Sequence, residues 1–228
     1  MYRHLELFSG THSFGKVSHA IGYEVFSLDR DLKAECPFGS GYKSQNHIQE
    51  DIMTWNYKKY PKGHFHLITA SPVCLWWSKL RMSNIGKKLK GYDKPMTREM
   101  IDKDIEMYGM PMVDKVFEII EYFNPEYFII ENPQSGRMKE YIPQIIPFYD
   151  IDYCKYSDWG YKKGTRFWTN IKGFEPKICK KDCENMNGTK HRKQIGHRIK
   201  KNDWGQNEKI IRYRIPEKLI ISLFSKIL

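Results

Sequence analysis

Cys74 stands in Ala70-Ser71-Pro72-Val73-Cys74-Leu75-Trp76-Trp77-Ser78, directly after the apolar run Phe65-His66-Leu67-Ile68-Thr69. The run reads as a buried strand. That puts the thiol in the turn beyond the strand's carboxyl end, where open α/β sheets carry their chemistry. A thiol there is either a small buried hydrophobe, the common fate of free cysteine, or a nucleophile. Glu131-Asn132-Pro133 follows a second such run, Tyr127-Phe128-Ile129-Ile130. Two strand ends, one bearing a thiol and the other a carboxylate, could converge on one substrate. The thiolate would then add covalently while the carboxyl group binds the substrate or handles a proton.

A second constellation belongs to a nucleotide-like ligand. Phe8-Ser9-Gly10-Thr11-His12-Ser13-Phe14-Gly15 follows the apolar Leu5-Glu6-Leu7 and opens a helical stretch. A glycine-bearing turn there lets backbone approach a ligand that faces the helix amino end. Asp29 closes the next strand about 20 residues on, where an acidic side chain can bind a ribose hydroxyl pair. Asp51-Ile52 lies further along. An ordinary strand-helix turn with two exposed aspartates is the plain alternative. A third cluster, Cys179-x3-Cys183 with His191 and His197, offers four zinc ligands within about 20 residues, at a spacing unlike a standard finger's. Scattered cysteines and surface histidines are its plain alternative.

The elements that must position these groups follow from periodicity. Leu5–Phe8 and Tyr23–Leu28 read as strands, with a helix from Phe14 to Ile21 between them that stops at Gly22. Met110 to Phe123 carries apolar residues at helical spacing and ends before Asn124-Pro125. Alternating strands and helices predict an α/β protein with a mostly parallel sheet covered on both faces. Lys79 to Asp104 breaks the rhythm as a long, polar, basic loop. A small irregular insert, 172–209, separates a core at 1–171 from a closing segment, 210–228, where Pro216 suits a helix's first turn.

The chain has 228 residues, a formal charge of +11 and five cysteines. Such a charge points to a polyanion, nucleic acid first, although a soluble basic protein can carry it too. An odd, scattered set of cysteines argues against a disulfide framework and for a reducing, intracellular compartment. No run of about 18 apolar residues is present, so no membrane span is expected. The amino-terminal segment is too polar for a signal peptide.

These residues, in this order, resemble the cytosine-5 DNA methyltransferase family, especially its compact phage and viral forms. The family's turn for S-adenosylmethionine looks like Phe8, Ser9, Gly10, Thr11 and His12, with His12 where a second glycine is usual. The resemblance assigns ribose contact to Asp29 and adenine contact to Asp51 and Ile52. The nucleophile turn looks like Pro72-Val73-Cys74, with Ser78 in its downstream place, and the family's acid looks like Glu131. Its arginine, which holds the ring carbonyl, looks like Arg166, the remnant of a longer motif. Ile215-Pro216-Glu217-Lys218-Leu219 resembles the motif that packs beside the cofactor.

The implied fold is the Rossmann-like methyltransferase fold, with a reading module much reduced. The implied reaction is methyl transfer to carbon 5 of a flipped cytosine in duplex DNA. A depressed Cys74 pKa is expected for that role. Ser78, Lys79, Arg81, Lys87 and Lys88 are then expected to meet DNA, a solvated loop being the alternative. Trp76 and Trp77 either wall the flipped base or pack the core. RNA as substrate, and a catalytically silent nucleic-acid-binding relative, remain alternatives.

Overall fold

The computed structural model describes residues 1–31, 36, 40–193 and 208–228. Among these, seven short strands form one sheet in the order β3-β2-β1-β4-β5-β7-β6. They are β1 (Arg3–Leu7), β2 (Glu24–Leu28), β3 (Asn46–Ile48), β4 (Leu67–Ala70), β5 (Tyr127–Pro133), β6 (Phe148–Asp152) and β7 (Gly164–Thr169). β7 runs antiparallel to both β5 and β6, while the pairs among β1 to β5 are parallel. This is the Rossmann-like methyltransferase topology that the sequence suggested.

Central strands of a covered parallel sheet must be apolar on both sides, and alternate residues divide between two cores. Leu5, Leu7, Ile68, Ile130 and Trp168 face one core with Val113, Val116 and Ile119 of α4 (Met110–Phe123). Leu67, Ile129 and Phe167 face the other, against Phe14 and Val17 of α1 (Ser13–Ala20) and Leu219 and Leu223 of a carboxyl-terminal helix, Glu217–Phe224. α4 stops at Asn124, whose left-handed φ of 46° caps it. Pro216 caps the carboxyl-terminal helix from just outside its first turn.

β1 is flanked by β2 and β4, so the connections reverse direction there and the loops beyond β1 and β4 open a crevice. Ser71 N donates to Leu7 O at 3.3 Å, which fixes the two loops side by side.

The basic stretch is not a single loop. Short helices α2 (Lys79–Met82) and α3 (Arg98–Asp104) bound a turn pinned by Gly86–Met96 and Met96–Lys87 backbone bonds around the buried Met96. α3 runs through a π-wound turn, Ile105–Gly109, into α4. α5 (Met138–Tyr141) lies between β5 and β6, and the insert holds a small hairpin of β8 (Met186–Asn187) and β9 (Lys190–His191). The chain closes with α6 (Glu208–Tyr213) and α7 (Glu217–Phe224). Among the described residues, no helix is long and apolar enough to cross a membrane.

Candidate active site

β4 and β5 are adjacent parallel strands, with Ala70 paired to Ile130, so the loop holding Cys74 and the residue Glu131 leave the same end of the sheet. Cys74 is half-buried and Glu131 buried. Glu131 Oε1 accepts hydrogen bonds from the Tyr153 hydroxyl at 3.1 Å and the Thr165 hydroxyl at 3.3 Å. Lys163 Nζ lies 3.5 Å from the same oxygen and is itself largely buried. The loop carrying the thiol is tied to β5, because Asn132 Nδ2 donates to Pro72 O at 2.9 Å.

Charge around the thiol acts in both directions. Burial pushes the Cys74 thiol up, and this effect is the largest; Lys163 pulls it down, Glu131 pushes it up, and Arg212 pulls it down. The depressed thiol expected from the sequence is therefore not found. Desolvation of the thiolate outweighs the nearby cations. The thiol's charge helps push the Tyr213 hydroxyl up, after burial, so the end of α6 lies near this site as well.

Arg166 is not brought to the pair. Residues directly opposite in an antiparallel ladder share a face, and Glu131 pairs with Phe167 while Arg166 pairs with Asn132 and Asp150. Arg166 therefore points to the other side of the sheet. There Asp150 takes both its Nε and Nη2 at 2.7 Å, and its guanidinium stacks on Phe148 at 3.6 Å. Lys163 and Thr165 occupy the face that the arginine was expected to hold. The sequence reading missed both, although alternation along Lys163–Thr169 was available to find Thr165.

The nucleotide-side residues do converge. Gly10, at φ 47°, donates its N–H to Asp29 Oδ2 at 3.1 Å, and Asp29 N donates to Ile48 O at 3.1 Å, joining the ends of β1, β2 and β3. Asp51 accepts from Met53 N at 2.9 Å and pairs with Arg30, while Ile52 is buried. Phe8 and His12 also take left-handed backbone, at φ 56° and 53°. His12 thus adopts the conformation of the glycine it stands for, one that histidine tolerates better than branched residues do. Its side chain is fully buried against Glu6, Tyr42 and His47. Only its backbone is left to meet a ligand.

Beneath the turn, Glu6 Oε1 accepts both Phe14 N and Gly15 N at 3.0 Å and so caps α1 from the neighbouring strand. Sequence spacing gave no sign of this role. The donor set fits S-adenosylmethionine. Asp29 and Asp51 offer carboxylate oxygens with unused lone pairs, Ile52 gives an apolar wall, and Ser9 Oγ is buried without a partner in the turn.

The residues expected to meet DNA divide. Lys79, Lys87 and Lys88 are exposed, as are Val73, Leu75 and Leu80 around the Cys74 loop. Ser78 spends its hydroxyl capping α2, accepting from Leu80 N at 3.2 Å. Arg81 does not point outward. It is buried, ion-paired with Asp104, bonded to the Tyr92 hydroxyl at 2.6 Å, and stacked over Trp76 at 4.8 Å. Trp76 also stacks on Tyr108 at 4.7 Å, and Trp77 is buried in the core against Tyr141. Trp77 thus packs the core, while the half-buried Trp76 stacks on Arg81 and Tyr108.

Cys179, Cys183 and His191 come together, and the fourth member of their cluster is Cys154, whose ligand atom lies with theirs inside a 4.8 Å spread. His197 lies outside the described residues.

No protein-family model matches the chain. A protein of Frog virus 3 (isolate Goorha), described as a probable DNA (cytosine-5)-methyltransferase, is 38% identical over 229 residues, covering 97% of this chain and 98% of that one. Among solved structures, the Entamoeba histolytica methyltransferase EhMeth is 15% identical, with a TM-score of 0.49 over 85% of this chain and 57% of that one. The S. pombe Dnmt2 methyltransferase is 15% identical, with a TM-score of 0.45 over 80% of this chain and 57% of that one. The chain spans little more than half the length of these two structures. With this identity to the viral protein along nearly the whole of both sequences, the chain belongs to the DNA (cytosine-5)-methyltransferase family.

Proposed function

We propose that the chain methylates carbon 5 of cytosine in double-stranded DNA, with S-adenosylmethionine as donor and Cys74 as a covalent nucleophile. The observation that carries this reading is the placing of a thiol and a buried carboxylate on adjacent parallel strand ends, with Lys163 acting on the charge of both. Carbon 5 of cytosine is a poor nucleophile. Addition of the Cys74 thiolate to carbon 6 turns the ring into an enamine, whose electron pair sits on carbon 5. Once carbon 5 is substituted, loss of its proton expels the thiolate and restores the ring.

Glu131 binds ring nitrogen 3 and the exocyclic amine and stabilises the adduct. Tyr153 and Thr165 hold its Oε1, so its other oxygen is the one presented to the base. Lys163 favours the thiolate and takes the place next to the acid where Arg166 was expected. S-adenosylmethionine, held by the Phe8–His12 backbone, Asp29, Asp51 and Ile52, supplies an electrophilic methyl group when bound. A base inside a duplex cannot reach Cys74, so the target cytosine is flipped out. The exposed Lys79, Lys87 and Lys88 contact phosphate. Five free cysteines fit a reducing, intracellular setting.

The test is covalent trapping. With cofactor, a duplex bearing 5-fluorocytosine is expected to give a denaturant-stable adduct that Cys74→Ser abolishes, because fluorine cannot leave as a proton does. Trapping on 5-fluorocytosine RNA alone would overturn the DNA assignment. Trapping on neither would leave the chain a nucleic-acid-binding relative without catalysis.

A further inference from the structure

Three chain segments, one of them at the end of β6 and two within the insert, bring thiols and one imidazole to a single point. Cys154 sits in the 3-10 turn Tyr153–Lys155 that follows β6; Cys179 and Cys183 bracket a tight turn; His191 ends the β8–β9 hairpin. His191 Nε2 is 3.5 Å from Cys179 Sγ and 3.3 Å from Cys183 Sγ. A tetrahedral zinc with ordinary bond lengths sets sulfur–nitrogen edges at about 3.6 Å and sulfur–sulfur edges at about 3.8 Å. The two His191 distances match those edges, and all four ligand atoms lie within 4.8 Å of one another, about 1 Å of closure from an ideal tetrahedral site. None of the three cysteines is in a disulfide.

The surrounding backbone is built to hold the ligands. Asp152 Oδ2 accepts Cys179 N at 2.8 Å, and Lys181 turns left-handed at φ 66° to bring Cys183 back beside it. Asn185, buried between Cys183 and His191 in sequence, donates to Cys154 O at 2.9 Å and accepts from Gly160 N at 2.8 Å. Zinc with three thiolates and a neutral imidazole carries a net charge of about −1. Lys155 and Lys162, paired with Asp182 and Asp152 at 3.0 and 2.9 Å, place positive charge around it.

We propose that Cys154, Cys179, Cys183 and His191 bind a structural zinc ion that fastens the small insert to the catalytic core. The ligand set is closed, with three sulfurs and one nitrogen and no open position, so the ion's role is architectural. Its reach toward the chemistry is short, because Cys154 follows Tyr153, the residue whose hydroxyl holds Glu131. The zinc thereby fixes the turn that positions the acid, and couples the insert to it.

The full chain, expressed with zinc supplement and purified under reducing conditions without chelator, is expected to hold about one zinc per molecule by mass spectrometry. Cobalt(II) in its place should show the strong thiolate charge-transfer absorption and intense visible bands of a tetrahedral sulfur-rich site. Cys154→Ser is expected to weaken zinc retention against a colorimetric chelator at least tenfold, while His197→Ala and Cys36→Ser leave it unchanged. Should Cys154→Ser fail to fold, the cobalt spectrum of the unaltered protein decides the matter. Metal content below about a tenth of an equivalent would overturn the proposal. So would a weak octahedral cobalt spectrum, or zinc lost in His197→Ala but kept in Cys154→Ser. Removal of the metal should also speed amide exchange across residues 148–160; unchanged exchange there would refute the coupling to Tyr153.

Discussion

Gly15→Ala probes the support beneath the Phe8–His12 turn. Gly15 lies in the first turn of α1, and a Cβ there would overlap the Glu6 carboxylate, a buried group with little room to move. To admit the methyl group, Glu6 must give up its bonds to Phe14 N and Gly15 N, each 3.0 Å long. Hydrogen bonds to charged groups are worth about 1.5–3 kcal/mol each, so losing both costs roughly 3–6 kcal/mol. Alanine's better helix propensity returns about 1 kcal/mol. The net loss is about 2–5 kcal/mol, a large share of a domain stability of about 5–15 kcal/mol.

Urea unfolding of a double-mutant cycle measures it. In a Glu6→Ala background the clash and the cap are both gone, and Gly15→Ala should then be neutral or stabilising by up to about 1 kcal/mol. If Gly15→Ala is neutral in the parent chain, or if the two changes add within about 0.5 kcal/mol, the capping role of Glu6 is wrong.

Opposed charges on the thiol give a two-sided test: Lys163→Met should move the pH profile of Cys74 alkylation upward and Glu131→Gln should move it downward, because the first removes a cation and the second an anion. No shift in either variant would show that burial alone sets the thiol. Arg81→Ala is expected to cost about 3 kcal/mol in thermal or urea unfolding by stranding Asp104, and to leave the salt dependence of DNA binding intact. Lys87→Gln with Lys88→Gln should do the reverse, keeping stability and flattening the salt slope by about 2. The opposite pattern would return Arg81 to the DNA.

Burial holds the His4 imidazole down to about 3 from the usual 6.5. The unfolded chain takes up a proton that the folded one refuses. Stability is thus full above about pH 6.5 and falls by about 1.4 kcal/mol per unit as the pH drops toward 3. His4→Gln should make that acid slope shallower by one proton, and an unchanged slope would contradict the neutral buried histidine.

Much of the site was legible along the chain because it depends on local order. A strand followed by a turn puts Cys74, Glu131, Asp29 and the Phe8–His12 segment at one end of a parallel sheet, whatever the details of packing. The apolar face of α4 and its stop at Asn124 were equally local, since helical spacing and a left-handed cap involve neighbours only. Lys79 to Asp104 read as a loop because its helices are short and owe their place to Met96 and the Arg81–Asp104 pair.

Side-chain roles that need a partner far away in sequence were decided by tertiary structure. Arg166 and Lys163 differ in placement by strand parity: pairing Glu131 with Phe167 sends Arg166 to Asp150 on the opposite face, while Lys163 stays beside Glu131. Spacing along the insert grouped Cys179, Cys183, His191 and His197; the fold brings Cys154 to the first three from the end of β6, a separation no local pattern records, while His197 lies outside the described residues. The sequence determined which groups stand at the strand ends and hence what chemistry was available. The fold determined which of them face one another, because face and register are properties of paired strands and not of any one segment.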